Sequence, residues 1–251
     1  MCFSFHFLGT NGFHSNETSR TACYMIPELG ILFDAGSGFF RVKELIQTPY
    51  LEVFISHGHM DHVAGINCLI ELLNRPDFKQ IRIHAEQKVL DEIDTLFHDP
   101  FFPEAIPYEL VPLNMNDNEE DNVIECIHEG VKVNYFQLNH TTTCFGYRLS
   151  YEGKSIAYVT DTTSYTTSTY LKHLNNLDVL FHEVNSVHEC DSAKFGHTDA
   201  ENLAVIANVV KPKLLCLIHF NPNRDRYEMM ECVKKEYPNV MVAVDKESVT
   251  V

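Results

Sequence analysis

Apolar residues recur along this chain in two rhythms, one of period two and one of period 3.6. Phe3, Phe5 and Phe7 alternate with polar neighbours and predict a half-buried strand, turned by Gly9-Thr10-Asn11-Gly12 into a polar loop that runs through Arg20. Ala22 to Ile26 and Ile31 to Asp34 flank a Pro27/Gly30 turn and predict a hairpin. Asp34-Ala35-Gly36-Ser37-Gly38 then turns into a helix near Phe40 to Ile46. Glu52 to Ile55 reads as a short strand, and Val63 to Ile70 as the start of a helix that ends around Asn74-Arg75-Pro76. Ile81 to Ala85 is a strand and Glu86 to Phe97 a helix.

Asp99 to Asn122 is rich in proline, asparagine and acids, and predicts a strand plus an exposed acidic loop. Phe101 and Phe102 within it offer an alternative reading, as the rim of a substrate cleft or a homodimer contact. Val131 to Phe136 alternates as a strand and runs into Leu138-Asn139-His140. Gly146 to Ser150 and Ser155 to Thr160 pair around Glu152-Gly153, and Asp178 to Glu183 is a further strand with a polar tip. Thr198, with Glu201 three residues on, reads as the capping box of a helix from Ala200 to Val210. Leu214 to Ile218 is a buried strand ending at His219. A helix from Arg226 to Tyr237 and a strand from Val240 to Val244 follow. No linker, composition break or internal repeat divides this pattern, so one domain over residues 1–251 is expected.

At 251 residues and 45% hydrophobic, the chain can bury a full core. The net charge of −16 disfavours bulk nucleic acid and anionic membrane surfaces as partners. It does not exclude a phosphate substrate, because bound metal ions can dominate a local field. Eight scattered cysteines without a Cys-x-x-Cys pair read as reduced thiols of a cytoplasmic protein. Residues 1–8 alternate like a strand and lack the basic segment and cleavage site of a secretory leader. No apolar run approaches the ~18 residues of a membrane helix.

The chemistry concentrates in Ile55-Ser56-His57-Gly58-His59-Met60-Asp61-His62-Val63, where three histidines and an aspartate fall within six residues. In an extended backbone His57, His59 and Asp61 line one side, and His62 turns as the helix begins. Imidazole and carboxylate together suit zinc, with manganese or iron as alternatives. The predicted strands also end on polar groups, at His57, His140, Asp161, Glu183 and His219, which is how a site is built at one edge of a sheet. His84 and His98 fall outside any ligand pattern and read as structural or surface residues. Asp34 reads either as turn chemistry or as support for the histidine loop.

His-x-His-x-Asp-His after a strand resembles the metallo-β-lactamase-fold hydrolases. The run from Leu8-Gly9-Thr10 to Leu32-Phe33-Asp34-Ala35-Gly36-Ser37-Gly38 is similar to the opening of their ribonuclease Z branch. The resemblance implies an α/β fold: two sheets face to face with helices outside, in a four-layer αββα sandwich. It implies two divalent ions, one held by His57, His59 and His140, the other by Asp61, His62 and His219, with Asp161 bridging. Such a pair, about 3.5–4 Å apart, shares a water and lowers its pKa for in-line attack. A glutamate in place of His59 would resemble the iron-dependent redox branch; the histidine argues for hydrolysis.

Phe181-His182-Glu183 and Gly196-His197-Thr198 resemble two further ribonuclease Z motifs. Carried over, they make Glu183 the group that orients His197, and His197 the general acid, so that Asp61, Glu183 and His197 form the expected catalytic set. Leu217-Ile218-His219-Phe220 with Arg224 to Tyr227 looks like that branch's ending with a longer spacer, which leaves phosphate contact by Arg224 or Arg226 open. The branch's long basic arm, which grips tRNA, has no room in the 21 positions from His140 to Asp161. The expected substrate is therefore a small molecule or a short oligonucleotide end rather than tRNA: a cyclic nucleotide, a cyclic phosphate or a similar phosphodiester. The rival readings are a carboxyl ester, thioester or lactone hydrolase on the same ligands, and a non-catalytic metal-binding sensor.

Overall fold

The computed structural model describes residues 2–73, 75–98, 107–116, 122–188 and 193–251. These residues build two mixed seven-stranded sheets. The first runs in the order β14 (Ser248–Thr250), β1 (Ser4–Gly9), β2 (Cys23–Ile26), β3 (Ile31–Phe33), β4 (Tyr50–Phe54), β5 (Gln80–Ala85), β6 (Glu109–Pro112). The second runs β13 (Val240–Val242), β12 (Leu214–Ile218), β11 (Val179–Glu183), β10 (Lys154–Val159), β9 (Phe145–Tyr151), β8 (Lys132–Gln137), β7 (Val123–Glu125). Parallel neighbours need crossovers, and α4 (Gln87–Leu96), α5 (Ala200–Val210) and α6 (Arg226–Lys234) supply three of them.

The alternation seen in the sequence sorts side chains between two cores. Phe3 just before β1, Phe5 and Phe7 of β1, Tyr24 of β2, Phe33 of β3 and Phe54 of β4 face the second sheet. There Phe5 stacks on Phe181 at 3.8 Å between ring centroids, and Phe33 on Tyr158 at 5.3 Å. The intervening positions Leu8, Leu32 and Val53 turn outward. They pack with Phe39, Leu69, Leu90 and Ile93 from the helical side. On the second sheet's flank α5 and α6 bury Leu203, Ala207, Met229 and Val233. The result is the expected αββα sandwich. Among the described residues no helix is long and apolar enough to cross a membrane.

Most sequence-read elements stand within a few residues, and the differences have local causes. Helix α2 (Met60–Val63) starts one turn before Val63, so Asp61 sits in a helix and leaves the line of His57 and His59. The cap of α5 is Asp199, whose carboxylate accepts from the Asn202 N–H at 2.9 Å. Thr198 instead donates its hydroxyl to the Thr162 carbonyl at 2.6 Å. The short strands β7 and β14, at the sheet edges, carried too few residues to show a period. His84 is buried flat against Phe54, with its Nε2 3.2 Å from Glu52, and His98 is exposed beside Asp94. Phe101, Phe102 and the acidic run 117–121 lie outside the described residues.

The inter-sheet aromatic layer accounts for much of the stability. Phe5 is fully buried against Phe7, Tyr24, Phe33 and Phe181. Phe5→Ala is expected to cost about 3–5 kcal/mol, read from the denaturant midpoint. Phe40→Ala, at a site 46% exposed, should shift stability by no more than about 0.5 kcal/mol.

Candidate metal centre

Strands β4, β11 and β12 run parallel to both sheet neighbours, β10 runs parallel to β11, and β8 shares the direction of β10 through two antiparallel steps. Their carboxyl ends open on one edge, where ligand sites in parallel sheets form. His57, His140, Asp161, Glu183 and His219 all lie on the segments that leave these strands.

The seven candidate ligands form two groups around one carboxylate. In the first, His57 Nε2 is 2.9 Å from His59 Nδ1, and His59 Nδ1 is 3.3 Å from His140 Nε2. Asp161 Oδ2 stands 3.7 Å from both His57 Nε2 and His140 Nε2. In the second, His219 Nε2 is 3.1 Å from His62 Nε2 and 3.2 Å from Asp61 Oδ2. Asp161 Oδ1 is 3.4 Å from His62 Nε2 and 3.1 Å from His219 Nε2. Four ligands at ~2.0–2.2 Å around a tetrahedral ion stand about 3.3–3.6 Å apart, so both sets fit a divalent cation. Facing ring nitrogens this close need either a proton or a cation between their lone pairs.

On His57, His62 and His140 the far nitrogen is already engaged, which aims the near one inward, whereas the buried His219 Nδ1 has no hydrogen-bond partner among the described residues. His62 Nδ1 lies 2.7 Å from Asp34 Oδ2, and His140 Nδ1–H donates to the Gly196 carbonyl at 2.9 Å. His57 Nδ1 meets Ser56 Oγ at 3.0 Å. Asp34, fully buried, also accepts from the Ser56 N–H at 2.7 Å, the Ser56 hydroxyl at 2.9 Å and the Tyr158 hydroxyl at 2.6 Å. It supports the histidine loop rather than merely turning the chain. Two glycines are required by crowding. A Cβ at Gly12 would lie 2.4 Å from the His219 ring, and one at Gly196, which has φ +79°, would lie 2.6 Å from His140 Nδ1.

Burial disfavours charge on His57 and His140 and holds both rings below the usual imidazole range, as neutral donors. Burial works against the Asp161 and Asp61 carboxylates, but the surrounding imidazoles hold both well below the usual carboxylate range. Burial likewise opposes charge on His62. The carboxylates of Asp34, Asp61 and Asp161 override it and raise its pKa, so a cation would displace a proton there.

Beside Asp161, Glu183 Oε1 accepts from the Thr162 and Thr198 N–H groups at 2.9 and 3.1 Å and stands 3.1 Å from His197 Nδ1. Burial penalises a proton on His197, yet the Glu183 charge and hydrogen bond lift its pKa to about 9. The His197 ring borders a cleft of about 360 Å³ with His59, Asp61, Asp161 and His219. Arg226 points elsewhere. Its guanidinium donates to Thr10, Asn11, Ser19 and the Ala243 carbonyl, so it braces the fold instead of meeting a phosphate. His182 is buried against Tyr170, and His188 is exposed beside Glu201. One contact that the sequence did not announce is the Phe13 N–H, which donates to Asp61 Oδ2 at 2.7 Å. Only a backbone group supplies it, so residue type gives no signal.

The model of the β-lactamase superfamily domain matches residues 30–220, a span that contains every candidate ligand. Ribonuclease Z of Sulfurisphaera tokodaii is 24% identical over an alignment of 290 positions that covers 95% of this chain and 94% of that protein. The metallo-β-lactamase-fold protein YhfI of Bacillus subtilis superposes over 100% of both chains, with a TM-score of 0.81 and 17% identity. The short form of human tRNase Z superposes over 98% of both, with a TM-score of 0.78 and 21% identity. Family match, fold and ligand order agree: this chain belongs to the β-lactamase superfamily, as a ribonuclease Z-like member with the metallo-β-lactamase fold.

Proposed function

We propose that this metal-dependent hydrolase is a dinuclear phosphodiesterase acting on a small phosphodiester. The observation that carries the reading is the placement of Asp161, one oxygen turned to each ligand group. In this reading His57, His59 and His140 hold one ion, Asp61, His62 and His219 the other, and Asp161 joins them. Zinc suits such tetrahedral nitrogen-and-oxygen sets. A bound pair of divalent ions would supply Lewis acidity towards the phosphoryl oxygens and an activated water.

The chain's own groups supply the rest. Asp61 and Asp161 offset the cationic charge, and Asp34 fixes the His62 tautomer. His197, oriented by Glu183, is a proton donor at neutral pH and delivers its proton to the leaving alkoxide oxygen. That pair favours a phosphodiester over a thioester, because a thiolate leaves without a proton and an alkoxide does not. Small size is favoured by the 360 Å³ cleft and by the segment between His140 and Asp161. There β9 and β10 meet at a tight Glu152-Gly153 turn, which leaves no place for a tRNA-gripping arm. The longer alignment with the Sulfurisphaera enzyme likewise includes positions without a counterpart here.

Two experiments test the reading. Elemental analysis should find two divalent ions per chain, with zinc in excess, and Asp161→Ala should bring this below one and abolish turnover of bis-p-nitrophenyl phosphate. A metal-loaded wild type inert towards that diester, yet active on thioesters, would refute it. For the second, His197→Asn should lower kcat on an alkyl diester by about 10²–10⁴-fold and much less when the leaving group is p-nitrophenolate. Since Glu183 holds the His197 proton up to about pH 9, wild-type activity should fall on the alkaline side of the pH profile. Cations held by the ligand groups would repel the imidazolium and move that limb to lower pH. The limb should be missing from the variant.

A further inference from the structure

The cleft in front of the two ligand groups has an unusual lining. Apart from the ligands and His197 it is bordered by Gly12, Phe13, Asn185, Phe195, Asn221 and Asn223. Among the described residues no lysine or arginine borders it, and the only carboxylates there are Asp61 and Asp161 of the candidate ligand set. A substrate with a second phosphate, or with a terminal phosphomonoester, would find, beyond a bound metal pair, only His197 among the lining side chains to neutralise it. A diester carrying a single negative charge fits the lining.

Two of the border residues are large, apolar and open to water. Phe13 is 78% exposed and Phe195 59% exposed, in a chain whose other phenylalanines mostly lie in the inter-sheet core. Neither is a loose surface residue. Phe13 sits at φ +60°, a backbone region that a phenylalanine occupies only when its surroundings impose it. The imposing contacts are the bond from its own N–H to Asp61 Oδ2 and the bond from the Gly12 N–H to the Phe220 carbonyl at 2.8 Å. The backbone that carries the ring is therefore registered against a candidate metal ligand. Phe195 ends the short 3-10 turn Ala193–Phe195 and immediately precedes Gly196, whose carbonyl holds His140. Its position is likewise tied to the ligand set. Lys194 lies over its ring, with Nζ 4.8 Å from the centroid. The two phenylalanines reach the cleft from loops of different sheets.

Exposed aromatic rings fixed beside a catalytic centre, with neutral amides nearby, match the demands of a flat heterocycle. Rings supply stacking surface at little entropic cost, and asparagine amides present both donors and acceptors to a base edge. We infer that Phe13 and Phe195 are specificity-determining residues: together they receive the nucleobase of a singly charged nucleoside phosphodiester, with Asn221 and Asn223 placed to meet its edge. This rests on the phosphodiesterase reading and narrows it from small diesters in general to those that carry a base.

The test compares two five-membered cyclic phosphates of similar intrinsic reactivity, adenosine 2′,3′-cyclic phosphate and glycerol 1,2-cyclic phosphate. Stacking on an aromatic side chain is worth about 1–3 kcal/mol per base, or roughly 5- to 150-fold. The metal-loaded wild type should accordingly prefer the adenosine compound in kcat/KM by at least about 10-fold. Phe13→Ala and Phe195→Ala should each reduce that preference, mainly by raising KM for the adenosine compound. Phe13→Tyr and Phe195→Tyr should keep it. A reading independent of turnover comes from calorimetric titration with adenosine, which has no phosphate: wild type should bind it and the double alanine variant should bind it at least about 10-fold more weakly. Equal turnover of the two cyclic phosphates by wild type would overturn the inference while leaving the phosphodiesterase reading intact. So would alanine variants that slow both to the same degree. Turnover of neither would remove both.

Discussion

Everything at the candidate centre depends on charge compensation beneath the surface. Five imidazoles and two carboxylates crowd one edge of the sandwich, and most of them are almost wholly buried. Such a cluster is costly unless each group is paired or hydrogen-bonded. Asp34 does most of this from below. It ties His62, Ser56 and Tyr158 to one buried carboxylate and so couples the histidine loop to the inter-sheet aromatic layer. Tyr158 stacks in turn against Phe33, the residue before Asp34. Local loop geometry and global sheet packing are thus one problem, and a change in either moves the ring nitrogens.

The polar groups around the cleft divide into those that face it and those that hold it. His197 belongs to the first kind: a buried carboxylate behind it, Glu183, fed by two backbone N–H groups, keeps its accessible imidazole protonated. Arg226 belongs to the second. It comes from the same sequence neighbourhood as His219, yet it spends its guanidinium on the loop after β1 and on the carbonyl of Ala243. It lies over Phe220 as well, with its guanidinium carbon 4.7 Å from the ring centroid. With that cation turned away from the cleft, the positive charges a substrate would meet are His197 and any metal ion the ligand groups hold.

Much of this was legible in the sequence, for physical reasons that also mark where it stopped. Strands with one face in the inter-sheet core alternate strongly, so β1 and β8 could be read directly. The His-x-His-x-Asp-His cluster and the polar residues after Leu138, Val159 and Ile218 pointed to one edge. The division of labour within the cluster was not legible from spacing. Asp61 parts company with His57 and His59 because α2 starts at Met60, and helix starts are weakly encoded in so short an element. The Asp199 cap displaced Thr198 because the threonine hydroxyl had a buried carbonyl to satisfy. Strands of three residues such as β7 and β14 cannot show a period at all. The Phe13 N–H is a main-chain donor, which no side chain announces, and the exposure of Phe13 and Phe195 follows from tertiary packing.

The pairing of β14 with β1, in the register Ser4↔Thr250, Phe5↔Val249 and His6↔Ser248, joins segments more than 240 positions apart. During synthesis the outer edge of β1 must wait for almost the whole of this sequence to emerge before its ladder is complete. The aromatic face of that strand is meanwhile uncovered, because Phe181 comes 176 positions after Phe5. Long-range closure of this kind slows folding and prolongs the time in which an unpaired edge can meet another chain. The same closure anchors the approach to the cleft. Asp245, just ahead of β14, accepts from the Thr10 N–H at 3.0 Å and the Arg20 N–H at 2.9 Å, on either side of the loop that bears Gly12 and Phe13. Asp245 therefore helps to shape a loop more than 220 positions earlier, and the wall that Gly12 and Phe13 give the cleft is complete only when that distant segment has docked.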